Sequence, residues 1–351
     1  MKLRRRLITV SAVVAVAMAG AVAPADASRP PDPPEASQLA SFGSGLGSGS
    51  TIGPDGALYV TDGNAGSVVR IDPDSGRLST FASGLPRQVL GIGGATDVAF
   101  VGRTAYVLVT MVGGDLLLPT GTVHFGDATD GIYRLNKDGT STVIADIGAW
   151  SAAHAPTLDF FITTGVQYAL QRYCDGFVVT DGHHNRVLRV GLDGRVTEMI
   201  SFGNIVPTGL EVSNVTVYVA EAGPIPHRPQ DAKVVAVNPR AMTVADVASG
   251  PAGEGAGLAV DVERGPRHRL YSLLQGVWDL PIVDANAGAP ASHDSGALVR
   301  IERDGTFTTI VDHLDQPTSL EFLGNTALIV TLAGRVIRID HVSDRTRDHS
   351  H

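Results

Sequence analysis

The sequence predicts an all-β protein, a six-bladed β-propeller with four-stranded blades. Three observations carry that reading. After residue 27 the chain shows no helical period, only short β-branched runs separated by Gly, Pro, Asn and Asp. One unit recurs six times along the chain. The last unit lacks a fourth strand, and the start of the chain carries one to spare.

The repeat is plainest between YVTDGNAGSVVRID (59–72) and VVTDGHHNRVLRVG (178–191), which share V-T-D-G, four loop residues, then V-x-R and an aliphatic residue. The second strand of each unit is expected at Leu58–Val60, Ala105–Val109, Phe177–Thr180, Val217–Ala220, Leu270–Leu273 and Leu328–Thr331. The third is expected at Val68–Ile71, Ile132–Leu135, Val187–Val190, Val234–Val237, Leu298–Ile301 and Val336–Ile339. Apolar segments with small residues, such as PTGLEV (207–212) and PTSLEF (317–322), supply the first strand. Asp138-Gly139, Asp193-Gly194 and Asp304-Gly305 mark tight hairpins into the fourth. Ser37–Gly45 reads as the outer strand that completes the last unit, closing a ring with only short exposed edges. A long β-sandwich explains neither the six copies nor the split unit.

The ends bound the domain and its address. Lys2, Arg4, Arg5 and Arg6 precede an apolar run and an A-x-A site at Ala25–Ala27, the pattern of a secretory signal over residues 1–27. A Pro-rich spacer follows at 28–37, then the propeller at 38–341 and a polar tail at 342–351. The expected protein is secreted or held in the cell envelope, with no stable membrane anchor after cleavage. Loss of the leader takes the formal net charge from −9 to −12, which disfavours nucleic acid and anionic lipid as partners. Cys174 is the only cysteine, so no intramolecular disulfide forms and packing carries the stability.

GPDGALYVTDG (53–63), MVGGD (111–115), VIADIGAWSAAHAP (143–156) and PTGLEVSNVTVYVAEAGPIP (207–226) together resemble the exported propellers of the ScyD/ScyE family. The resemblance spans nearly the whole mature chain and departs at TLDFFITTGVQYAL (157–170). It implies a propeller fold and an exported address, and no established catalytic residues. G-P-D-G-x-L-Y-V on its own is general to NHL-like and gluconolactonase-like propellers.

Two loops between second and third strands are enlarged, 111–130 and 275–296, and insertions on one face shape a binding surface. They bring His124, Asp127, Trp278, Asp279, Asp284 and His293 to that face. Asp62, Asp181 and Glu221 each end a second strand and are candidate ligands for a divalent cation such as calcium, which takes several oxygens from different blades. His183 and His184 occupy the positions of Asn64 and Ala65 in the sibling loop, so they read as a hairpin tip near the channel mouth. Asp72–Gly76 reads as a plain turn. No Gly-x-Ser-x-Gly elbow, His-Glu-x-x-His pair or phosphate loop is present. The leading expectation is a propeller that binds a small molecule or protein partner. The alternative is a metal-assisted hydrolase or lyase acting on a lactone, glycan or phenolic compound. A structural envelope protein is a third.

Overall fold

Each of the six units folds as a four-stranded antiparallel sheet. The computed structural model describes residues 34–42, 47–157, 161–226, 228–249, 257–281 and 289–343. Blade 1 is β2 (Gly47–Ile52), β3 (Leu58–Asp62), β4 (Ser67–Ile71) and β5 (Leu78–Ala82). Blade 2 is β6 (Gly94–Val101), β7 (Thr104–Thr110), β10 (Gly131–Leu135) and β11 (Ser141–Asp146). Blade 3 is β12 (Gln167–Tyr173), β13 (Gly176–Asp181), β14 (Arg186–Gly191) and β15 (Val196–Ser201). Blade 4 is β16 (Pro207–Ser213), β17 (Thr216–Glu221), β18 (Lys233–Asn238) and β19 (Thr243–Ser249). Blade 5 is β20 (Ala259–Arg264), β21 (Leu270–Leu274), β22 (Gly296–Ile301) and β23 (Phe307–Leu314). Blade 6 is β24 (Pro317–Leu323), β25 (Thr326–Thr331) and β26 (Arg335–Asp340), completed by β1 (Glu35–Ser41) from the other end of the chain. The first strands β2, β6, β12, β16, β20 and β24 pack each against the next in a closed circle, which makes the structure a six-bladed β-propeller.

The sequence pattern explains which strand sits where. Second strands are covered on both faces by adjoining blades, so LYVTD and GFVVTD are buried at every position. The outer strand β5 has the opposite character and is exposed along nearly its whole length. The core therefore lies between blades. Leu108, Ile132, Phe177 and Leu188 fill the layer between blades 2 and 3, each side chain contributing about 1.5–3 kcal/mol by burial.

The ring closes where expected, by a strand that starts two residues earlier. β1 pairs antiparallel with β26 from Glu35 opposite Asp340 to Ser41 opposite Arg335, so the strand starts inside the stretch read as spacer. At the other end Val342 and Ser343, read as tail, dock on Asn325 through their N–H groups. The signal and most of the spacer and tail lie outside the described residues.

Two local features depart from the sequence reading. Ile147–Ala153 forms a helix, α1, with Asp146 capping it through the Ala149 N–H at 2.8 Å. Two turns are too short to leave a period in the sequence. The insertion at 111–130 folds as a hairpin of its own, β8 (Gly113–Leu118) and β9 (Gly121–Asp127). The Asp-Gly turns hold as read: Gly139, Gly194 and Gly305 have φ of 85°, 84° and 83°, the left-handed region only glycine enters freely. Asp72 closes its own turn by accepting from Ser75 N–H at 2.9 Å, as a plain turn requires.

Candidate functional site

Strand register defines one end of the channel. Gly47 lies opposite Asp62, Gly94 opposite Thr110, Gln167 opposite Asp181, Pro207 opposite Glu221, Ala259 opposite Leu274 and Pro317 opposite Thr331. First strands therefore begin, and second strands end, on the face that carries the two long loops. The channel inside has a volume of about 570 Å³.

Its wall changes character with depth. Around the mouth stand Met111, Val166, Val206, Leu258 and Leu332. Further in come hydroxyls, with Thr96, Thr208 and Ser319 each tied to neighbouring backbone or side chains. Level with Ser319 stand Asp97 and Asp261, and two residues further along the first strands are Glu263 and Glu321, four carboxyl groups in all.

Two of these carboxyls also fasten blades together. Asp97 accepts from Val98 N–H at 2.8 Å and from Leu170 N–H, on the next blade, at 2.6 Å. Asp261 accepts from Val262 N–H at 2.9 Å and from Leu320 N–H at 2.8 Å. Burial pushes the pKa of Asp261 up to about 7, and the nearby Glu211 adds to the rise. Burial likewise lifts Asp97, Glu263 and Glu321 well above the usual carboxylate range, reinforced by mutual repulsion within the group. Glu211 is raised less, because Gln171 donates to it at 3.0 Å and Arg264 lies 3.8 Å away.

The residues singled out from sequence are distributed differently. Asp62 accepts from Ala65 N–H at 3.0 Å and shapes its own turn. Asp181 is wholly buried and receives Ser151 Oγ at 3.1 Å, Gln167 Nε2 at 3.0 Å and Arg186 Nε at 2.9 Å. Burial alone would raise its pKa, yet His184 and Arg186 together hold it below the usual value. Glu221 faces Lys233 across 3.9 Å, and burial pushes it up to about 7. These three carboxyls are each engaged in or beside their own blade and do not converge. Among the described residues, no group of three or more His, Cys, Asp or Glu side chains is arranged to hold a metal ion.

The paired histidines are buried, which a hairpin tip does not suggest. His184 Nε2 donates to the Ile162 carbonyl at 3.1 Å, leaving Nδ1 3.1 Å from Arg186 and 3.3 Å from Asp181. Arg186 continues the network to the His154 carbonyl at 2.7 Å and lies 4.8 Å from the Trp150 ring. His184 is thereby part of a structural polar core beneath α1. His183 turns the other way, with Nε2 3.1 Å from the hydroxyl of Tyr168, which lines the channel.

The long loops lie at the mouth. His124 sits exposed on β9 between Asp115 at 2.8 Å and Asp127 at 3.1 Å, and these two aspartates raise its pKa. Trp278 is buried behind the mouth with Val206, Ala222 and Leu258, its Nε1 donating to the Ala289 carbonyl at 3.2 Å. Asp279 accepts from Ser292 on the rim, and His293 pairs with Asp315 at 2.6 Å. Asp284 lies outside the described residues. The inner carboxyls were not among the expected site residues. Their signal was acids at two offsets in first strands, Asp97 and Asp261 at one, Glu263 and Glu321 two residues further along.

No family model and no curated protein sequence matches this chain. Solved structures are similar in fold. Virginiamycin B lyase from Staphylococcus aureus matches with a TM-score of 0.53 and 12% identity, covering 88% of this chain and 99% of that one. A gluconolactonase from Xanthomonas campestris matches at 0.57 and 12% identity, covering 88% and 89%. The PQQ-bound aldose sugar dehydrogenase from Streptomyces coelicolor matches at 0.51 and 12% identity, covering 89% and 99%. The neighbours thus include a lyase, a gluconolactonase and a dehydrogenase, and at such low identity what they share with this chain is the fold.

Proposed function

We propose that this is an exported ligand-binding propeller, which takes a small molecule into its channel through the face bearing loops 111–130 and 275–296. The observation that carries the reading is the graded wall: an apolar mouth over convergent polar groups in a cavity of about 570 Å³. Both loops take part. Met111 begins the first, whose hairpin is tied down by Leu117 N–H on the Phe161 carbonyl and Thr163 N–H on the Asp115 carbonyl. Gln275, Ala289 and Pro290 of the second line the channel directly. The resemblance to the ScyD/ScyE family and the leader support the exported address.

A neutral apolar fluorophore, Nile red, tests the site. Its emission should rise with the wild-type protein and fall to background with I92W/L332W, which places two indoles at the partly exposed mouth. Equal emission from both proteins would mean that the channel is not where small molecules bind.

The second reading is a divalent-metal-assisted hydrolase or lyase. Asp261 favours it, because a channel carboxyl titrating near 7 suits proton transfer at neutral pH. Turnover of a lactone panel that disappears with EDTA and with D261N supports this reading. Turnover absent under every metal tested removes it.

A further inference from the structure

We infer that the channel ligand is an amphiphilic organic cation, an apolar body bearing an ammonium group, with its charge seated at the inner carboxyls. The inference rests on the channel reading above and deepens it. The cavity itself points to a ligand: it is a space of about 570 Å³ whose mouth is walled by aliphatic side chains. Tyr168 and Phe100 also line it.

The charge count selects the sign. Asp97 comes from β6, Asp261 and Glu263 from β20, and Glu321 from β24, while Glu211 on β16 is already engaged by Gln171 and Arg264. Strand β2, GSGSTI, brings no charge. Arg264 is engaged by Glu211 and donates to the His268 carbonyl at 2.9 Å. Arg172 on β12 also lines the channel, one cation against four carboxyls. A metal ion needs a tight oxygen shell, and none is assembled among the described residues. An ammonium on an apolar stem needs only net negative charge and a few acceptors, so spaced carboxyls suit it. The raised pKa values agree with this: in the absence of a cation the carboxyls retain protons, which an entering ammonium displaces.

Calorimetry with octylammonium, its neutral counterpart octanol, and calcium chloride alone tests the class. Octylammonium should bind about tenfold or more tightly than octanol near pH 8, the factor equal to about one pKa unit. Its affinity should weaken towards about pH 6, with protons released on binding. E263Q/E321Q should abolish the preference and leave octanol binding intact, which also shows that the variant is folded. Equal affinity for the two probes, or affinity flat with pH, overturns the cation while the channel site stands. Displacement of octylammonium by stoichiometric calcium chloride overturns the organic class. If neither probe binds and Nile red does not respond to I92W/L332W, the channel reading itself fails.

Discussion

Asp97 and Asp261 stand three blades apart and perform the same task. Each bridges its own blade to a leucine N–H on the next, Leu170 and Leu320 respectively. Each also lies against a glycine of the preceding blade, since a Cβ on Gly49 or Gly209 would come within 2.2 Å of the carboxyl. The inner ring therefore repeats every three blades, with blades 1–3 echoed by blades 4–6. The glutamates break the echo. Glu211, Glu263 and Glu321 hold positions taken by Thr51, Ala99 and Gln171 in the first half.

Removing either aspartate should loosen a blade junction. D97A strips acceptors from Val98 and Leu170 N–H, and two unsatisfied donors cost about 2–4 kcal/mol. D261A should cost about the same. Urea unfolding curves measure both, and a loss under about 0.5 kcal/mol would deny the bridging role.

Stability should fall as pH rises towards neutrality. Glu221 and Asp261 have folded pKa values of about 7 against ordinary values of 4.5 and 3.8. Raised carboxyls bind protons more tightly in the folded state, so their contribution is complete below the ordinary values and is lost as pH climbs to about 7. Thermal melts should show a higher midpoint near pH 5 than near pH 8, and E221Q/D261N should flatten that slope.

Arg186 should be among the costliest side chains to lose. R186M leaves the buried Asp181 with no guanidinium and only His184 beside its charge, a loss of about 3–5 kcal/mol. Adding D181N should recover much of the loss, because the remaining partners Ser151 and Gln167 suit an amide. A double-mutant cycle by urea unfolding reads the coupling, and purely additive losses would argue against it.

Closure by β1 is open to direct truncation. A chain starting after Ser41 exposes β26 along its whole length and removes Ala40 from the layer that holds Val336 and Leu328. The melting midpoint should drop by roughly 5–10 °C, and adding a peptide of residues 34–42 should restore part of it. An unchanged midpoint would place the seam elsewhere.

The legible parts of the fold were those with a local signature. Second strands such as Phe177–Thr180 read as continuous aliphatic runs because they are covered on both faces, and Asp193-Gly194 announced its turn through backbone chemistry. α1 stayed hidden because it is short and set by one cap, Asp146. The site was harder. Asp62, Asp181 and Glu221 share a repeat position, which suggested convergence, yet each serves its own hairpin or the packing beside it. His183 and His184 are neighbours in sequence but point to different surroundings, the Tyr168 hydroxyl and the Asp181–Arg186 pair.

The sequence by itself determined the six units, their strand order and the closing strand, because β-branched runs and turn residues act over a few neighbours and recur. Only the tertiary structure decided where charge gathers. Asp97, Asp261, Glu263 and Glu321 are scattered over more than two hundred positions, and ring closure alone brings their strands around one bore. Their titration then depends on burial and on one another, quantities that no local stretch of sequence contains.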